Sequence, residues 1–142
     1  MTSPECKPVS ILLVEDDDID AMGIERALNT LKLLNPIYRA RDGIEALECL
    51  RNGEIPPPCI VLLDLNMPRM NGLEFLGEVR RDDELCSLVI FVLTTSRRDE
   101  EITAAYEKNI AGYMVKSSVS QDFNEVLAFL DNYWRIVELP VQ

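Results

Sequence analysis

Residues 60–72 have the sequence IVLLDLNMPRMNG, and this stretch decides how the chain is organised. Four apolar residues lead up to Asp64, and a polar, turn-prone segment follows it. A short apolar run bounded by turn signals is typical of a buried strand. We therefore predict that Asp64 ends a strand, at the edge of an open α/β sheet where ligands bind.

Four more apolar runs predict further strands, and apolar residues at helical spacing follow each of them. These runs lie at residues 9–14, 37–40, 88–93 and 111–115. Asp42 and Asn71 are placed to cap the second and third helices. The alternation predicts a doubly wound (βα)5 parallel sheet in the order 2-1-3-4-5, with a site at the switch between strands 1 and 3. We expect one domain over residues 9–137, with tails at 1–8 and 138–142.

Composition and charge exclude several classes of protein. The 142 residues carry 14 basic and 25 acidic side chains, and the net charge of -11 disfavours nucleic acid and anionic membranes as partners. We see neither a membrane-spanning run nor a signal peptide, so we expect a cytoplasmic protein whose four cysteines are reduced. The sequence has no histidine, which removes histidine bases, most zinc sites and any phosphohistidine within this chain.

Polar residues follow the other predicted strands as well. Glu15 and Asp16 end the first, Thr94 ends the fourth and Lys116 ends the fifth. Glu15 and Asp16 would meet Asp64 at one edge of the sheet, and three carboxylates there favour a hard cation such as Mg²⁺. With an ammonium and a hydroxyl beside them, they indicate a phosphoryl-transfer site in which an aspartate can be the nucleophile.

Four motifs in this order resemble the receiver domains of two-component response regulators. They are ILLVEDD at 11–17, LLDLNMPRMNG at 62–72, VLTTS at 92–96 and GYMVK at 112–116. The resemblance covers about residues 9 to 137 and implies a flavodoxin-like fold. More narrowly, LTTS and the ending NYW…ELP resemble the single-domain regulators that accompany bacterial phytochrome kinases.

The resemblance implies a role for each matching residue. Asp64 would accept a phosphoryl group from a sensor histidine kinase, and the narrower resemblance implies one of the phytochrome type. Mg²⁺ would be held by Asp16, Asp64 and the Asn66 carbonyl, with help from Glu15. Lys116 and Thr94 would bind the phosphoryl group, and Tyr113 would move inward behind Thr94 to signal to a partner protein. Asn66 and Ser96 would tune the lifetime of the phosphoryl group.

One residue departs from the family pattern. Most receivers follow the lysine with a proline after a cis peptide bond, but Ser117 follows Lys116 here. A cis bond before a residue other than proline costs about 3–4 kcal/mol. We therefore expect either a trans bond with a shifted loop or a retained, strained cis bond.

Alternatives remain open at this point. An aspartate-nucleophile phosphatase would need a second aspartate two residues after Asp64, where Asn66 stands, and no nucleotide-binding glycine motif is present. We expect no turnover enzyme, only self-phosphorylation and self-dephosphorylation.

No output domain is expected after the last helix. The phosphorylated chain could dock on a target, act as a relay intermediate or act as a phosphate sink, and a phosphorylation-independent interaction domain is the other alternative. The apolar tail at 136–141 could form a homodimer or fold back on its own helix.

Overall fold

The computed structural model describes residues 9–118 and 123–140. Within these residues, five parallel strands form one sheet in the order β2-β1-β3-β4-β5. The strands are β1 (Ser10–Val14), β2 (Ile37–Ala40), β3 (Cys59–Leu63), β4 (Val89–Thr94) and β5 (Gly112–Val115). The predicted flavodoxin-like topology is confirmed.

Five α-helices connect or follow these strands in the described part of the chain. They are α1 (Asp18–Thr30), α2 (Gly43–Arg51), α3 (Gly72–Arg81), α4 (Asp99–Glu107) and α5 (Asn124–Ile136). Two predicted caps are confirmed: Asp42 accepts from Glu45 N, and Asn71 forms a capping box with Glu74. None of the helices described is long and apolar enough to cross a membrane.

Side-chain alternation along the strands divides the core into two layers. Leu12, Val61 and Ile90 point to one face, where α2, α3 and α4 pack; we call this layer the α2–α4 core. Ile11, Ile60 and Phe91 point to the other face, where α1 and α5 pack; this layer is the α1/α5 core. Helices on both faces account for the strands' nearly uninterrupted apolar sequences.

The chain beyond α5 turns back on the molecule in part. Leu139 packs against the α1/α5 core together with Trp134, as the fold-back alternative expects. Ile136 remains 82% exposed and Val137 is also exposed. Residues 1–8 and 141–142 of the predicted tails, with Cys6, lie outside the described residues, while Cys49, Cys59 and Cys86 are free thiols.

Candidate functional site

Asp64 follows β3 directly and is almost completely buried, with 7% of its surface exposed. Its Oδ1 atom accepts a hydrogen bond of 2.8 Å from the Thr94 hydroxyl and one of 3.2 Å from the backbone N–H of Asn66. Its Oδ2 atom lies 3.6 Å from Lys116 Nζ. Residues from three adjacent strand ends therefore surround one buried carboxylate.

Glu15 and Asp16 follow β1, the strand beside β3. One carboxylate oxygen from each, together with one from Asp64, lies within 4.8 Å of the others. Glu15 is buried and Asp16 is exposed, so the cluster opens to solvent on the Asp16 side. Three carboxylate oxygens so close together repel one another, and an all-oxygen donor set fits a hard divalent cation.

Burial, more than crowding, sets the electrostatics of the cluster. Burial raises the pKa of Glu15 to about 7; the hydrogen bond from Lys116 opposes this rise, and the charge of Asp64 adds to it. Burial alone would lower the pKa of Lys116, but its hydrogen bonds with Asp20 and Glu15 raise that pKa above its ordinary value. A cation at the cluster would favour the ionised form of Glu15.

Lys116 stands where the sequence predicted, beside Asp64. It opens a short 3-10 helix after β5 and reaches Glu15 Oε1 at 2.7 Å. In the described part of the chain a cis peptide bond occurs between Pro57 and Pro58, and the bond between Lys116 and Ser117 is trans. A trans bond with the lysine still at the site shows that the proline is dispensable for its position.

Ser96 and Tyr113 form a second group next to the central one. The Tyr113 hydroxyl donates a 3.0 Å hydrogen bond to the Ser96 carbonyl. The Ser96 hydroxyl donates to the Glu101 carboxylate at the start of α4. The structure therefore joins these two predicted residues to each other and to α4. The other predicted site residues lie together around Asp64, and we call them the central group: Glu15, Asp16, Asp64, Asn66, Thr94 and Lys116.

Two residues at the site were missed by the sequence reasoning. Asp20 pairs with Lys116 from the first turn of α1, where nothing in the sequence distinguishes it from Asp18. Glu101 binds Ser96 from within the acidic first turn of α4, where nothing separates it from Asp99 and Glu100 in the sequence.

A cleft of about 380 Å³ lies beside the carboxylate cluster. Asp16 and Asn66 line it from the site, and Glu101 lines it from α4. Its remaining walls are Leu65, Met67, Pro68, Asn71 and Leu73, all from the β3–α3 loop and the start of α3. A reactant could therefore approach the cluster along the β3–α3 loop.

The geometry has counterparts among known proteins. A family model described as the response regulator receiver domain matches residues 11–128. Response regulator Rcp1 of Synechocystis sp. is 32% identical over 145 aligned residues, covering 99% of each chain. The solved Mn²⁺-bound form of Rcp1 superposes with a TM-score of 0.82 over 94% of this chain and all of that one. The phosphorylated cyanobacterial phytochrome response regulator RcpA is 29% identical, with a TM-score of 0.84 over 94% of this chain and 99% of its own.

Proposed function

The chain belongs to the response regulator receiver domain family, and on that premise we propose that Asp64 is its phosphoacceptor. The observation that carries the proposal is the surroundings of Asp64: a buried carboxylate with a hydroxyl donor, an ammonium and two further carboxylates beside it. The cluster fits a divalent cation, and we propose Mg²⁺, held by Asp16, Asp64 and the Asn66 carbonyl with support from Glu15.

The proposed reaction transfers a phosphoryl group to one carboxylate oxygen of Asp64. The new O–P bond forms as the bond from phosphorus to a histidine nitrogen of the donor breaks, and the imidazole keeps the electron pair. Because this chain has no histidine, the donor is a separate histidine kinase or a small phosphodonor. Mg²⁺, when bound, would neutralise charge on the phosphoryl oxygens.

Lys116 and Thr94 stabilise the new group. Lys116 Nζ is 3.6 Å from Asp64 Oδ2, near enough to bind a phosphoryl oxygen attached to that carboxylate. The Thr94 hydroxyl now donates to Asp64 Oδ1 and would turn to the phosphoryl group. The hydrogen bond between Tyr113 and the Ser96 carbonyl links that movement to the start of α4, which would alter the surface offered to a partner.

The likeness to RcpA, a cyanobacterial phytochrome response regulator, favours a phytochrome-type kinase as the donor. We further propose that the protein acts in the cytoplasm as a switch rather than a turnover enzyme, with Asn66 and Ser96 tuning how long the phosphoryl group remains. Docking on a target, phosphorelay and a phosphate sink would all use this same site.

Phosphorylation by a small donor tests this function. We expect wild type incubated with acetyl phosphate and Mg²⁺ to gain the mass of one phosphoryl group, and Asp64→Asn to gain none. Asp83→Asn is the matched control, because Asp83 is exposed in the loop after α3 and its change is chemically the same. Unmodified wild type under every donor, with Mg²⁺ present, would favour the phosphorylation-independent interaction domain.

A further inference from the structure

The Lys116 ammonium is held by more than the phosphoacceptor. Its Nζ atom lies 2.7 Å from Glu15 Oε1 and 2.7 Å from Asp20 Oδ2, but 3.6 Å from Asp64 Oδ2. An ammonium has three protons to donate. Two are taken by Glu15 and Asp20, which leaves the third for the side of the site where Asp64 lies.

Asp20 is the one of these two anchors that lies outside the carboxylate cluster. The cluster suited to a cation consists of Glu15, Asp16 and Asp64. A cation bound there would compete with Lys116 for the charge of Glu15. Asp20, in the first turn of α1, would still be available to hold the ammonium.

The backbone at Lys116 leaves the position of the ammonium to its side-chain contacts. Its peptide bond to Ser117 is trans, and no proline ring restrains the chain that follows. The lysine also has a long, flexible side chain whose head must be kept near Asp64. Only 11% of the Lys116 side chain and 29% of the Asp20 side chain are exposed, so their attraction is screened less than that of a surface pair.

We propose that Asp20 is a positioning residue that holds the Lys116 ammonium beside Asp64 for binding of the phosphoryl group. The inference rests on the proposed function and adds a residue to it. Asp20 is not a member of the carboxylate cluster and acts through Lys116.

The test compares Asp20→Ala with Asp18→Ala. Asp18 lies in the same turn of α1, is exposed and pairs with Arg39 and Arg41, so its substitution changes the charge equally without touching Lys116. The readouts are the affinity for beryllofluoride at saturating Mg²⁺ and the rate of phosphorylation by acetyl phosphate. We expect Asp20→Ala to lower both by about tenfold, and Asp18→Ala to change them by less than about twofold.

A double-mutant cycle separates positioning from a structural role. If Asp20 acts through Lys116, Asp20→Ala adds less than about twofold in a Lys116→Met background. Two outcomes would overturn the inference and leave the proposed function intact. One is a full tenfold loss of affinity and rate when Asp20→Ala is added to Lys116→Met; the other is an Asp20→Ala single variant whose affinity and rate equal those of an active wild type. A wild type that binds no beryllofluoride and takes up no phosphoryl group would overturn the proposed function, and the inference with it.

Discussion

Glu15 is a carboxylate whose charge the fold tolerates poorly without a cation. It is 3% exposed, and its pKa is raised from 4.5 to about 7, first by burial. The folded protein therefore holds this proton more tightly than the unfolded chain does. The resulting stabilisation is complete below about pH 4.5 and is lost as the pH rises through about 7.

Glu15→Gln tests this linkage in the metal-free protein. Because glutamine does not ionise, we expect the variant to gain stability relative to wild type between about pH 5 and about pH 8, by on the order of 2 kcal/mol. Urea unfolding in the presence of a chelator measures the difference. Glu48→Gln, on the exposed side of α2, is the control, and its free energy of unfolding should follow that of wild type at every pH. If the free energies of unfolding of Glu15→Gln and wild type differed by the same amount at every pH, the account would be contradicted.

The central group could largely be predicted because its residues lie at the end of a strand or in the loop just after it. Asp64, Thr94 and Lys116 each come after an apolar run, and parallel strands bring such positions to one edge. Asp20 and Glu101 could not be predicted in the same way. They reach the site from within helices, and helical spacing alone does not distinguish a side chain that turns toward a strand end from one that faces solvent.

Arg80 ties three segments of the described chain together near the end of α3. Its guanidinium donates to four backbone carbonyls at 2.7–3.0 Å. The acceptors are Cys86, Leu88, Lys108 and Asn109, which lie in the segment before β4 and the segment after α4. An arginine fork suits this arrangement, because one side chain satisfies four acceptors at once.

Arg80→Met should therefore lower the free energy of unfolding by about 1–3 kcal/mol, since four carbonyls lose their donor. Arg81→Met is the neighbouring control: Arg81 is exposed and its 3.3 Å contact with Glu78 is a surface ion pair. That change should cost less than about 0.5 kcal/mol. Equal effects of the two substitutions in thermal or urea unfolding would show that the Arg80 contacts contribute nothing.

The start of α3 shows what sequence could and could not predict about an element. The cap at Asn71 was predictable from its residue type and from the apolar spacing that follows. The closeness of Gly72 to β3 was not: a Cβ atom there would lie 2.7 Å from the Asp64 carbonyl oxygen. The glycine thus lets α3 begin against the backbone of Asp64, a tertiary contact that no local pattern encodes.

At the scale of the whole molecule, the fold followed from alternation. Five apolar runs separated by helical segments predicted the strand order, and the structure has that order. The end of α5 was less predictable. Leu130 on α5 is fully buried, yet Val137, an apolar residue directly after the helix, is exposed.

The exposed apolar surface at the end of α5 predicts self-association. Phe129, Ile136 and Val137 are exposed apolar side chains on α5 and just after it, and we expect them to support a homodimer. Light scattering across protein concentrations, with and without beryllofluoride, would detect the dimer. We expect Ile136→Asp to weaken it, and a protein that stays monomeric at high concentration in both conditions would contradict dimerisation.

The most direct test of the central claim is to locate the phosphoryl group. Borohydride reduces an aspartyl phosphate to homoserine, so peptide mass spectrometry after phosphorylation and reduction identifies the modified residue. We predict conversion at Asp64, dependent on Mg²⁺. Conversion at Asp16 or at another aspartate while Asp64 remains intact would contradict the account.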